Sequence, residues 1–87
     1  MWNFERDPKY IRQYKGLNPQ LQNKVKKALT QLDNSENPRD LGKYKRSLRI
    51  YAYDLDKSNR ILYDVRFSDN VIELYRVGDH KQTYGKD

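Results

Sequence analysis

The sequence predicts an α+β fold: two N-terminal helices packed on one face of a small antiparallel sheet. That sheet is a three-stranded meander with a candidate N-terminal edge strand. Three observations predict it. The pairs Asp7-Pro8 and Asn18-Pro19 each open a stretch with helical spacing. Composition changes once, near residue 40, from polar to rich in tyrosine and β-branched residues. Beyond that point, strand-like runs are separated only by the short polar segments DKSN and SDN.

The totals set bounds. A chain of 87 residues supports one modest core, so residues 1–87 are read as a single domain; chains of this size bury only somewhat more than about 60% of their extended surface. There is no cysteine and one histidine, which rules out disulfides and a four-ligand structural zinc site, and no metal or other cofactor is expected. No run approaches the roughly 18 apolar residues of a membrane span. The first ten residues, MWNFERDPKY, carry charges where a signal peptide has an apolar region. The expectation is a cytoplasmic protein with no membrane partner. A formal charge of +6 and a pI near 9.6 favour polyanions or acidic protein segments as partners.

The elements follow in order. Asp7 caps a short helix from about Pro8 to Tyr14 that stops at Gly16. After Asn18-Pro19, Leu21, Val25, Ala28, Leu29 and Leu32 recur at intervals of three and four and form one apolar stripe, with Lys24, Lys26 and Lys27 mostly outside it. The segment DNSENPRDLGKYKR is connector by composition, and Asn37-Pro38 ends any residual helix. Strands are expected at Ser47–Leu55, Arg60–Phe67 and Val71–Val77, with Trp2-Asn3-Phe4 as the candidate edge. Alternation then assigns Ile61, Tyr63, Val65 and Phe67 to the helix-facing side of the middle strand, and Leu48, Ile50 and Ala52 to the apolar side of the strand before it. The uncovered face collects Arg49, Tyr51, Arg60 and Arg66, approached by Lys43, Lys45 and Arg46, and forms a cationic surface interleaved with aromatics.

The connector NPRDLGKYK, the strand opening NRILYDV and the ending RVGDHKQTY, in this order behind two helices, resemble the RelE/ParE superfamily of bacterial and archaeal toxins from type II toxin-antitoxin pairs. The likeness covers nearly the whole chain and implies a RelE-like fold. In the family's closing motif, Gly78 matches the glycine, Asp79 stands where histidine is common, His80 falls at a frequent arginine position and Tyr84 matches the terminal tyrosine. Arg60 occupies the place of the basic residue that opens the strand after the first hairpin. Where the RNA-cutting branch often has lysines on the preceding strand, this chain has Arg49 and Tyr51.

The resemblance implies a toxin that enters the ribosomal A site and cuts messenger RNA, or, in the ParE branch, one that poisons DNA gyrase. RNA carries its own nucleophile, the 2′-hydroxyl, so cleavage needs proton removal, charge spreading on the phosphate and protonation of the leaving 5′-oxygen. A histidine, whose reference pKa is near 6.5, suits proton transfer worth about 10²- to 10⁴-fold. Arginine suits the phosphate. The candidate catalytic residues are therefore Arg60, His80 and Tyr84, the last orienting His80, stacking on a base or, with a pKa lowered by cations, acting as base. Candidate phosphate contacts are Arg49, Tyr51, Lys43, Lys45, Arg46, Arg76 and Lys81. Three functions compete: a ribosome-dependent endoribonuclease that inhibits translation, a gyrase inhibitor that cuts nothing, and a non-catalytic module that binds an antitoxin. The implied partners are an acidic antitoxin, the ribosome with its mRNA, and operator DNA through the antitoxin.

Overall fold

The computed structural model describes residues 1–85. Strand β1 (Asn3–Arg6) leads directly into helix α1 (Pro8–Lys15), and helix α2 (Pro19–Asp33) follows after a short turn. A 3₁₀ turn at Pro38–Leu41 precedes strands β2 (Lys43–Lys45), β3 (Ile50–Asp54), β4 (Asn59–Arg66) and β5 (Val71–Asp79), and a short helix α3 (His80–Tyr84) closes the described chain.

One local device starts three of these elements. The Asp7 carboxylate accepts from Lys9 N at 2.8 Å, the Asn18 side chain from Leu21 N at 2.8 Å and the Asn37 side chain from Arg39 N at 3.3 Å, each with proline next in sequence. The side-chain oxygen takes an N–H that has no partner within the helix, and proline supplies the helical φ without an N–H of its own. At Asn37-Pro38 the expected helix stop thus also begins a 3₁₀ turn.

The sheet has five strands in the order β1-β5-β4-β3-β2, larger than the three-stranded meander expected. The core of that meander, β3-β4-β5, is antiparallel as predicted, and Asn3–Arg6 does form the N-terminal edge, pairing parallel to β5 with Phe4 opposite Ile72. The added strand is β2, read from sequence as connector. Lys43, Tyr44 and Lys45 pair with Ala52, Tyr51 and Ile50.

The α1–α2 side of the sheet holds the main core. Tyr10, Val25, Ala28 and Leu32 from the helices meet Ile61, Tyr63 and Val65 of β4 and Ile72, Leu74 and Val77 of β5, all buried. Full burial of one such side chain contributes about 1.5–3 kcal/mol, so this layer carries most of the stability. The Tyr63 hydroxyl is satisfied inside the layer by donating to Pro38 O at 2.6 Å. Phe67, expected in this set, lies past the end of β4; it is exposed and meets Trp2 edge-on at 5.6 Å.

The faces of β3 are the reverse of those expected. Tyr51 stands opposite Tyr63 and Tyr53 opposite Ile61, so both tyrosines share the helix-facing side, while Ala52 stands opposite Leu62 on the other. The expected apolar side rested on counting Leu48 with Ile50 and Ala52, and Leu48 lies outside the strand. The expected strand at Ser47 is instead a tight turn closed by Arg49 N donating to Lys45 O at 2.8 Å, with Arg49 at φ 58°, and alternation begins only at Ile50. Leu62 and Ala52 are buried all the same, since α3 turns back over this second face and buries Thr83 there.

Candidate functional site

Gly78 and Asp79 bring the C-terminal segment back over the sheet. Gly78 has φ 138°, a conformation that side chains other than glycine rarely adopt, and the Gln82 side chain occupies the space where a Cβ would project. Asp79 then caps α3: its carboxylate accepts from Gln82 N at 2.9 Å while Gln82 Oε1 accepts from Asp79 N at 3.0 Å. The reciprocal pair, with Thr83 Oγ1 donating to Asp79 O at 2.8 Å, fixes the direction in which His80 and Tyr84 leave the backbone. From α1, Gln13 buttresses the arrangement by donating to Gln82 O and accepting from Val77 N.

His80 and Tyr84, one turn apart, meet with ring centres 4.7 Å apart and their planes tilted by 56°. Arg60, from the start of β4, places its guanidinium carbon 5.2 Å from the centre of the Tyr84 ring and donates to Thr83 Oγ1 at 3.4 Å. These three side chains, together with Lys43 and Lys45 of β2 and Lys57 of the β3–β4 turn, line one open groove of about 580 Å³. That lies within the roughly 300–1,000 Å³ usual for ligand clefts. Ser47, Leu48, Asp54 and Asp56 complete its wall. The edge strand missed in the sequence is thus also what carries Lys43 and Lys45 to the groove.

Tyr84 is set up differently from the expectation that neighbouring cations lower its pKa. Burial pushes the phenol up and outweighs the opposing pull of Arg60. Its hydroxyl is buried without a hydrogen-bond partner among the described residues. It keeps its proton near neutrality and is a stacking surface with a donor at its tip.

The remaining candidates lie apart from this groove. Tyr51, expected on the outer surface, is half-buried on the helix-facing side, 5.1 Å from Tyr44 and under the Arg39 guanidinium at 5.5 Å. Arg49 and Arg46 are exposed in the β2–β3 turn. Arg76 reaches Asp7 at 3.6 Å and lines a separate depression with Leu48, Ile50, Leu62, Tyr75 and Thr83. Lys81 is exposed on α3. Arg66, expected in the cationic face, binds Glu5, Asp69 and Glu73, which cancels its charge toward any polyanion. Of the cationic face expected on the sheet, Arg60 thus joins the groove and Arg66 does not.

Asp54 went unnoticed in the sequence. It stands opposite Arg60 across the β3–β4 hairpin, 3.7 Å from Lys43, with half of its side chain exposed to the groove. Its one legible sign was its position across a short turn from Arg60. Among the described residues, no group of three or more His, Cys, Asp or Glu side chains is placed to hold a metal ion, and no helix is long and apolar enough to cross a membrane.

Residues 3–84 match the family described as ParE toxin of type II toxin-antitoxin system, parDE. The chain belongs to this family. No curated protein matches this ParE-family chain. Among solved structures its fold is similar to the toxin of the intact E. coli RelBE toxin-antitoxin complex, at a TM-score of 0.79 and 19% identity over 94% of this chain and 100% of that one. It is also similar to a chain of the YoeB-YefM complex from Staphylococcus aureus, at 0.73 and 23% identity over 92% and 98% of the two chains. The archaeal RelE-RelB complex from Pyrococcus horikoshii aligns at 0.70 and 14% identity over 90% and 93%. At these identities the common ground is the fold; the first of these structures is a toxin-antitoxin complex, and the other two are complexes with YefM and with RelB.

Proposed function

We propose that this ParE-family toxin is a ribosome-dependent endoribonuclease that cuts messenger RNA in the A site by attack of the 2′-hydroxyl on the adjacent phosphate, and so stops translation. The observation that carries the reading is the convergence of Arg60, His80 and Tyr84 in one groove with Lys43 and Lys45. In it, Arg60 holds the phosphate oxygens as negative charge grows on them, which an arginine fork does better than a point charge. His80, exposed at the rim, gives a proton to the departing 5′-oxygen. Tyr84 offers a rigid face on which a base stacks, and Lys43 and Lys45 hold the strand's neighbouring phosphates, with Arg46, Arg49, Arg76 and Lys81 as outlying contacts. An acidic antitoxin segment laid over the groove would neutralise it and exclude RNA.

The test is translation of a reporter in a cell-free system with pure protein, followed by primer extension on the message. New 5′ ends within codons are expected, and an intact message rejects the proposal.

A second reading, poisoning of DNA gyrase without RNA cleavage, is favoured by the ParE family match itself. A supercoiling assay separates the two: gyrase inhibition with an intact message selects the second reading.

A further inference from the structure

We infer that Asp54 is the general base of the groove, the group that takes the proton from the attacking 2′-hydroxyl. This deepens the RNA-cutting reading and rests on it.

Eight titratable or charged side chains line the groove: Lys43, Lys45, Asp54, Asp56, Lys57, Arg60, His80 and Tyr84. The three ammonium groups and the guanidinium have protons to donate and no lone pair with which to accept one. Tyr84 keeps its proton because burial raises its pKa. Asp56 is committed to the β3–β4 turn: its Oδ1 accepts from Ser58 N and Asn59 N, both at 2.8 Å, and its Oδ2 meets Lys24 at 3.3 Å. The Ser58 N–H and the other donors hold its pKa down at about 2, leaving a weak base. Two groups remain, Asp54 and His80, and the reaction requires two.

Position divides their roles. Asp54 and Arg60 are directly opposed on β3 and β4, and such pairs have Cβ atoms about 4.5–5.5 Å apart. A phosphodiester held by Arg60 therefore has the ribose on its 5′ side beside the Asp54 carboxylate, while His80, on α3 beyond the Tyr84 ring, faces the leaving oxygen. Lys43 pairs with the Asp54 carboxylate at 3.7 Å on the wall of the groove.

The step balances without a further reactant. The 2′-hydroxyl proton passes to Asp54, the 2′-oxygen forms a bond to phosphorus, the bond from phosphorus to the 5′-oxygen breaks, and that oxygen takes a proton from the His80 imidazolium. The products are a 2′,3′-cyclic phosphate and a 5′-hydroxyl, and both side chains return to their starting states by exchange with water.

The experiment measures single-turnover cutting of a reporter message on programmed ribosomes by the wild type and by Asp54→Asn, Asp54→Glu and His80→Ala, with thermal unfolding and ribosome co-sedimentation run beside it. Asp54→Asn is expected to lose about a hundredfold or more in rate with folding and ribosome binding intact. Asp54→Glu should recover part of the activity. If Asp54 only tempers the positive groove, Asp54→Asn will cut as fast as the wild type or faster, which overturns the inference while the RNA-cutting reading stands through the His80→Ala loss. If the wild type itself leaves the message whole, the RNA-cutting reading fails and this inference with it.

Discussion

The Arg60 guanidinium carbon lies 5.2 Å from the centre of the Tyr84 ring, although one residue opens β4 and the other ends α3. The contact joins the sheet to the C-terminal segment and gives the basic groove one of its walls. Because the buried Tyr84 hydroxyl has no hydrogen-bond partner among the described residues, the ring rather than the hydroxyl holds this contact. Tyr84→Phe should leave thermal stability unchanged or raise it by up to about 1 kcal/mol and keep Arg60 in place. Tyr84→Ala should release Arg60 and abolish message cutting. A Phe variant as inactive as the Ala variant would instead assign the hydroxyl a direct chemical role.

His80 is exposed, with its ring tilted against that of Tyr84. His80→Ala should lower cutting at least about tenfold, the lower range for lost proton transfer, with no change in thermal unfolding. A drop in melting temperature matching the loss of cutting would make the residue structural.

Gly78 sets the path of α3. Gly78→Ala puts a Cβ against the Gln82 side chain at a φ of 138°, so the capping pair between Asp79 and Gln82 must open. The expected outcome is loss of cutting with the sheet still folded, seen as retained far-ultraviolet circular dichroism. Full unfolding would show that α3 is integral to the core.

The Tyr63 phenol is fully buried and donates to Pro38 O at 2.6 Å. Burial raises its pKa well above the usual phenol range. Tyr63→Phe removes this buried hydrogen bond and should cost about 0.5–1.5 kcal/mol in a denaturant titration. A cost indistinguishable from zero would mean that another donor replaces the hydroxyl.

Acid should loosen the β3–β4 turn through Asp56. Its folded pKa is lowered from 3.8 to about 2, chiefly by the Ser58 N–H. A lowered carboxylate pKa stabilises the fold above the unfolded value, so this contribution is complete above about pH 4 and disappears as pH falls through about 2. Melting temperatures between pH 5 and 2 should fall less steeply for Asp56→Asn than for the wild type; parallel curves would contradict the assignment.

What could be read from the sequence depended on how strongly each segment signals its own geometry. Asp7-Pro8 and Asn18-Pro19 located both long helices because capping is a local property. The stripe of Val25, Ala28 and Leu32, with the alternation of Ile61, Tyr63 and Val65, located the core layer. Strand β2 was hidden: its three residues are lysine, tyrosine and lysine, and an edge strand that short has no room for an alternating pattern. Missing it carried the expected β3 into the turn at Arg49, so Leu48, which lies in that turn, was counted with Ile50 and Ala52 as the apolar set, and the helix-facing side went to that set instead of to Tyr51 and Tyr53. Helix α3 has no apolar stripe, and its one sign was an aspartate followed three residues later by glutamine. The convergence of Arg60, His80 and Tyr84 was anticipated by resemblance. The company of Lys43, Lys45 and Asp54 depends on strand pairing, which neither composition nor spacing displays.

The most direct test of the central claim examines the chemistry of the cut ends. Reporter RNA recovered from programmed ribosomes treated with the pure protein should carry a 2′,3′-cyclic phosphate upstream of each cut and a 5′-hydroxyl downstream, and Arg60→Ala should yield neither. An intact message, or ends bearing a 3′-hydroxyl and a 5′-phosphate, would contradict 2′-hydroxyl attack in the groove of Arg60, His80 and Tyr84.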